Sequence, residues 1–144
     1  MNYVEIINET EIKVNEAYLN NIFSWLVEDK IFQHSDTCCL KLSDNDEIQE
    51  LNAKYRGKNE PTDVLTFPCE TKEIGFLGDI IVNCQFVGAI SDCPDVEIAK
   101  LFIHGLLHLA GMDHLSVRQK NEMTVYEQKY VDKLRRGDFQ SSFS

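Results

Sequence analysis

His104-Gly105-Leu106-Leu107-His108-Leu109-Ala110-Gly111-Met112-Asp113-His114 is the stretch from which the rest of the chain can be read. Three of the four histidines of the protein fall within these eleven residues. His104 and His108 are four apart, so on a helix they share a face with Cβ atoms about 5–6 Å apart. Gly111 supplies the left-handed backbone that ends helices, and the turn after it can bring His114 back to the same point. Three neutral imidazoles with a fourth position open are the donor set of a catalytic zinc site. The helix bearing the pair is otherwise almost wholly apolar, and unpartnered imidazoles are costly to bury there.

The spacing is also that of the metzincin proteases, H-E-x-x-H-x-x-G-x-x-H. Their general-base Glu follows the first His, where this chain has Gly105. The ligand pattern is therefore present without the proteolytic base, which argues for different chemistry.

Around this stretch the chain reads as one domain over residues 1–136, with a polar segment, 137–144, expected to be a disordered tail. Tyr3 to Ile7, Thr37 to Leu42, Asp63 to Pro68 and Leu77 to Val82 are rich in strand formers. From about Val14, the residues Val14, Ala17, Tyr18, Ile22, Trp25 and Leu26 recur at helical intervals. Asp44 with Glu47 forms a capping box for a helix running to about Tyr55, stopped near Arg56-Gly57. Asn83 to Ile90 suggests one or two helical turns. Pro94 to Ala110 is apolar around most of its circumference, as a buried helix is. Ser116 can cap a last helix to about Arg136, with Met123, Tyr126, Tyr130, Val131 and Leu134 inward. The expected fold is α/β (α+β): a mixed sheet of about four strands covered by helices, with the ligand helix central. Strand order is not legible.

Composition narrows the function classes. No apolar run reaches membrane-spanning length, and the N-terminus lacks the basic-then-apolar pattern of a secretory signal. A cytoplasmic protein without membrane contact is expected. The five cysteines, Cys38, Cys39, Cys69, Cys84 and Cys93, form no C-x-x-C pair and read as reduced, small apolar residues. The net charge is −10, from 14 basic and 24 acidic residues. Affinity for a polyanion comes largely from Lys and Arg neutralising phosphates, so strong unaided nucleic-acid binding is not expected.

Three blocks together resemble a known family. The histidine stretch, Leu51-Asn52-Ala53-Lys54-Tyr55-Arg56-Gly57-Lys58 leading into Thr62-Asp63-Val64-Leu65-Thr66-Phe67-Pro68, and Leu77-Gly78-Asp79-Ile80 are similar to the YbeY family of bacterial rRNA maturation factors. The likeness runs from about residue 40 to about residue 130. Met112 stands where the family usually has Tyr, and Thr66 where Ser is common; the segment between Asp79 and His104 looks short. The resemblance implies a single-strand-specific, zinc-dependent endoribonuclease. It would process small-subunit (16S) rRNA near its 3′ end and serve ribosome quality control, with ribosomal RNA, the small subunit or its assembly factors as partners. It also implies a catalytic role for Arg56.

Read by itself, Arg56 at a helix end suits either phosphate binding by its planar fork or capping of carbonyls. Lys58 can add positive charge for substrate. Asp63 and Asp79 sit on apolar strands, where burial demands a partner. One of them can accept from the free nitrogen of a ligand histidine, while strand-end bonding to backbone amides is the simpler reading of Asp63. Two other functions fit less: a non-catalytic ribosome-assembly factor with a structural metal, which the acidic charge favours, and a metzincin-like protease, which Gly105 opposes.

Overall fold

The structure is a computed structural model and describes residues 3–32, 37–69, 75–90, 94–112 and 116–136. His34, Cys93, Asp113, His114 and the tail 137–144 lie outside the described residues. The elements run β1 (Tyr3–Asn8), α1 (Glu16–Glu28), β2 (Thr37–Ser43), α2 (Asn45–Arg56), β3 (Val64–Pro68), β4 (Phe76–Asn83), α3 (Cys84–Ile90), α4 (Pro94–Leu109) and α5 (Val117–Arg135).

The strands form one mixed sheet in the order β1-β2-β4-β3. β1 with β2 and β2 with β4 are parallel, and β3 returns antiparallel along β4 as an edge strand. The four-stranded mixed sheet matches the expectation, and the pairing order is what the structure adds. Among the described residues no helix is long and apolar enough to cross a membrane.

Local chemistry sets the helix ends. α1 starts two residues later than the periodicity suggests because Asn15 caps it, its side chain accepting from the Tyr18 amide at 3.1 Å. Val14 packs on the core from outside the helix. Asp44 caps α2 by accepting from the Glu47 amide at 2.9 Å. The expected reciprocal half of that box goes elsewhere: the Glu47 carboxylate accepts from the Ser43 hydroxyl and from Lys41 Nζ. Ser116 caps α5 through the Gln119 amide at 3.1 Å.

Alternation along the strands sends side chains to two faces. Leu40, Leu42, Ile80 and Val82 meet Ile22, Phe23 and Leu26 of α1, Phe102, Ile103 and Leu106 of α4, and Met123, Tyr130 and Leu134 of α5 in the main core. The opposite face holds a smaller cluster, Ile48, Leu65 and Ile81, with Leu51 and Phe67 packed beside it under α2. α4 touches β3, β4, α1, α3 and α5, which explains why its sequence is apolar on nearly every side. At its base α5 is tied to α1: Tyr130 Oη and Lys129 Nζ both donate to Asp29 Oδ2, at 2.7 and 2.9 Å.

Candidate functional site

Gly105 fixes how α4 sits on the sheet. A Cβ built on it would lie 2.8 Å from Cγ2 of the buried Ile80, a separation that real Cβ atoms do not show. The missing side chain is thus a close approach of helix to strand. It leaves no room for the glutamate that a metzincin carries there.

With Gly105 against the sheet, His104 and His108 lie toward α5. Their rings cross at 74° with centroids 4.6 Å apart, and their Nε2 atoms are 3.1 Å apart. His104 Nδ1 is 2.5 Å from Glu127 Oε1 on α5. A nitrogen facing a carboxylate carries the ring proton, so His104 donates to Glu127 and presents a bare Nε2. A second bare nitrogen at 3.1 Å would repel it. The geometry is met either by a neutral His108 whose Nε2–H donates to His104 Nε2 or by a metal ion shared by both rings. Metal–nitrogen bonds of about 2.0–2.1 Å place two ligands of a tetrahedral ion about 3.3 Å apart, close to the observed separation. The carboxylate behind His104 is the usual partner of a ligating imidazole. The residues present fit a metal ion.

The helix end also fits. Gly111 has φ 96°, the Gly111 amide donates to the His108 carbonyl at 2.9 Å, and the Met112 amide donates to the Leu107 carbonyl at 3.0 Å. This is a Schellman cap, and it turns the chain immediately after His108. Among the described residues no third His, Cys, Asp or Glu joins the pair in a metal-binding group; His114 lies outside them.

Arg56 ends α2 at the open edge of β3. Its Nη2 donates to the Thr66 carbonyl at 2.8 Å, and its Cζ lies 5.8 Å from the centre of the Phe67 ring. Thr66 is opposite Ile80 in the sheet register, and Ile80 is the residue beneath Gly105. Three contact steps thus connect the guanidinium to the helix turn bearing His104. Lys58 is exposed in the loop after α2.

Neither aspartate that sequence singled out partners a histidine described here. Asp63 Oδ1 accepts from the Val64 amide at 2.8 Å and the Thr62 hydroxyl at 3.3 Å, the strand-end reading. Asp79 precedes Ile80, so it points to the face away from α4, where the Cys39 thiol bonds it. Burial, joined by the charge of Glu5, pushes its carboxyl above the usual range against the effect of that bond. Glu127 was the residue missed. Its signal was present: it lies four positions after Met123 and three and four before Tyr130 and Val131, an acid inside the inward stripe of α5.

Residues 5–135 match the model of the family described as Endoribonuclease YbeY. The chain is 34% identical over 122 residues to Endoribonuclease YbeY of Pelagibacter ubique, covering 78% of this chain and 80% of that protein. It is 36% identical to the Nautilia profundicola protein of that name, covering 91% of each. The solution structure of TM1509 from Thermotoga maritima aligns with a TM-score of 0.57 at 29% identity, over 91% of this chain and 88% of that one. The class is that of hydrolases that cut RNA internally. The chain belongs to the YbeY family.

Proposed function

We propose that this endoribonuclease matures small-subunit ribosomal RNA near its 3′ end, cutting unpaired RNA in the cytoplasm with one zinc ion held by His104, His108 and His114. The observation that carries the metal centre is the 3.1 Å convergence of two imidazole Nε2 atoms, one of them backed by Glu127.

A divalent metal at this position supplies a Lewis acid for a phosphoryl oxygen and activates water near neutral pH. The rest of the chemistry belongs to the chain. Glu127 holds the His104 ring in the tautomer that keeps Nε2 basic. Arg56 commits one of its five N–H donors to Thr66; the remaining fork offers charge to phosphate oxygens and to the extra negative charge of a five-coordinate phosphorus. Lys58 adds a second cation for the strand. Gly105 supplies no base, so the proton of the attacking group leaves by another acceptor, and attack by the 2′-hydroxyl or by water both remain consistent with these residues.

The net charge of −10 favours a substrate presented on a ribosomal particle, where partners share the affinity. Ribosome quality control fits that setting. The test is single-turnover cleavage of a small-subunit rRNA fragment and of pre-ribosomal particles by wild type, Arg56→Glu and His114→Ala, with zinc content and folding measured on each. Wild type cuts; Arg56→Glu retains zinc and does not cut; His114→Ala loses zinc. Absence of cutting on both substrates would reject the nuclease reading in favour of an assembly factor with a structural metal.

A further inference from the structure

The inward stripe of α2 overruns the sheet. Ile48 is buried and Leu51 half-buried over β3 and β4. The next residue of that stripe, Tyr55, extends beyond the edge strand and is 56% exposed. Its ring meets Phe67 edge-on, centroids 5.3 Å apart at 66°. Cations flank this corner: Lys54 Nζ lies 5.1 Å from the Tyr55 ring centre and the Arg56 guanidinium 5.8 Å from that of Phe67. Lys54, Arg56 and Lys58 thus alternate through five residues of a chain whose net charge is −10.

An exposed aromatic is a cost in a solvated surface unless something covers it. The occupant is fixed by chemistry. A planar, apolar face between cations suits a nucleobase whose flanking phosphates meet the cations, and successive bases on aromatic rings are a common way to hold single strands. A paired base has its faces covered by neighbours and cannot use the ring. Arg56 joins the two regions, since it touches Phe67 on one side of the β3 edge and the Thr66 carbonyl at the edge itself.

We propose that Tyr55, supported by Phe67, is a stacking platform for one unpaired base of the RNA substrate, setting that nucleotide beside Arg56 and so the strand's position relative to the histidines. This rests on the nuclease reading above and adds to it a positioning residue and a physical source of single-strand preference.

The test uses metal-loaded full chain and an eight-nucleotide single-stranded RNA carrying 2-aminopurine at each position in turn. Fluorescence quenching on rapid mixing reports stacking, and single-turnover cleavage on the same RNA gives the half-saturating concentration and the saturated rate. Tyr55→Ala should raise the half-saturating concentration about tenfold, within the range for one lost base stack, with a smaller change in saturated rate. It should also abolish quenching at one position. Tyr55→Phe should stay near wild type, and Tyr55→Leu, which keeps apolar contact without a π-face, should resemble Tyr55→Ala. An abasic nucleotide at the quenched position should weaken wild type and leave Tyr55→Ala unchanged.

Equal binding by Tyr55→Ala and wild type would overturn the platform while leaving the nuclease reading intact. So would wild-type behaviour of Tyr55→Leu, or a lowered saturated rate with unchanged half-saturation. A wild type that neither quenches nor cuts would overturn both.

Discussion

At the scale of single residues, the proposed metal centre depends on how one imidazole is held. Glu127 fixes the His104 tautomer through a 2.5 Å contact, and carboxylates in this position typically govern metal affinity by about 10–100-fold. Glu127→Gln should therefore weaken zinc binding by roughly one to two orders of magnitude while the far-UV circular dichroism stays native; zinc titration against a competing chelator reads it. The histidine pair was legible because i and i+4 is a local relation. Glu127 was not, because its partner is 23 residues away on another helix, although an acid in an apolar stripe was the available sign. The Arg56 anchor was invisible for a different reason. It is a backbone carbonyl, which any residue at 66 supplies, so Thr in place of the family's usual Ser leaves that bond unchanged. Three of the five cysteines follow their sequence reading, and Cys69 is half-buried. Cys38, Cys39 and Cys84 are buried, and burial, with the charge of Asp79, pushes the Cys39 thiol up to about 11, far from the range of a reactive thiolate.

At the scale of elements, the contact of α4 with β4 and the pin between α1 and α5 are the places to probe. Gly105→Ala forces a methyl against Ile80, an overpacking that should cost about 1–3 kcal/mol; urea unfolding measures it, and unchanged stability would show that α4 can lift from the sheet freely. The pin is pH-dependent. The Tyr130 hydroxyl and the Lys129 ammonium hold the Asp29 carboxyl below the usual carboxylate range, outweighing the effect of burial. A lowered folded-state pKa gives stability that is complete above the unfolded value near 3.8 and is lost as pH falls through the folded one. Tyr130→Phe should thus cost about 1–2 kcal/mol at pH 7 and distinctly less near pH 3. Thermal unfolding across that range checks the sign. Element identities and the α4 core were legible from apolar periodicity. Strand order was not, since the pairing of β2 with β4, with β3 turned back at the edge, is a non-local outcome that periodicity does not encode.

At the scale of the whole molecule, an acidic chain acts on an acidic polymer. The proposed productive charge is local, in Lys54, Arg56 and Lys58 at the end of α2 and in the loop that follows it. If these three cations carry the phosphate contacts, the logarithm of single-strand affinity should fall with the logarithm of salt at a slope of about −2. A much steeper slope would place additional cations in the interface. The proposed function requires that two helix-borne imidazoles with a carboxylate behind them hold a metal on which RNA cleavage depends. The measurement that meets it most directly is single-turnover cleavage of an unpaired rRNA fragment by chelator-stripped protein, with zinc then added back stepwise, for wild type and His104→Ala. Stripped wild type should be inactive, activity should return and level off at one zinc per chain, and folded His104→Ala should neither bind that equivalent nor cut. Undiminished cleavage by stripped wild type, or by His104→Ala, would contradict that requirement.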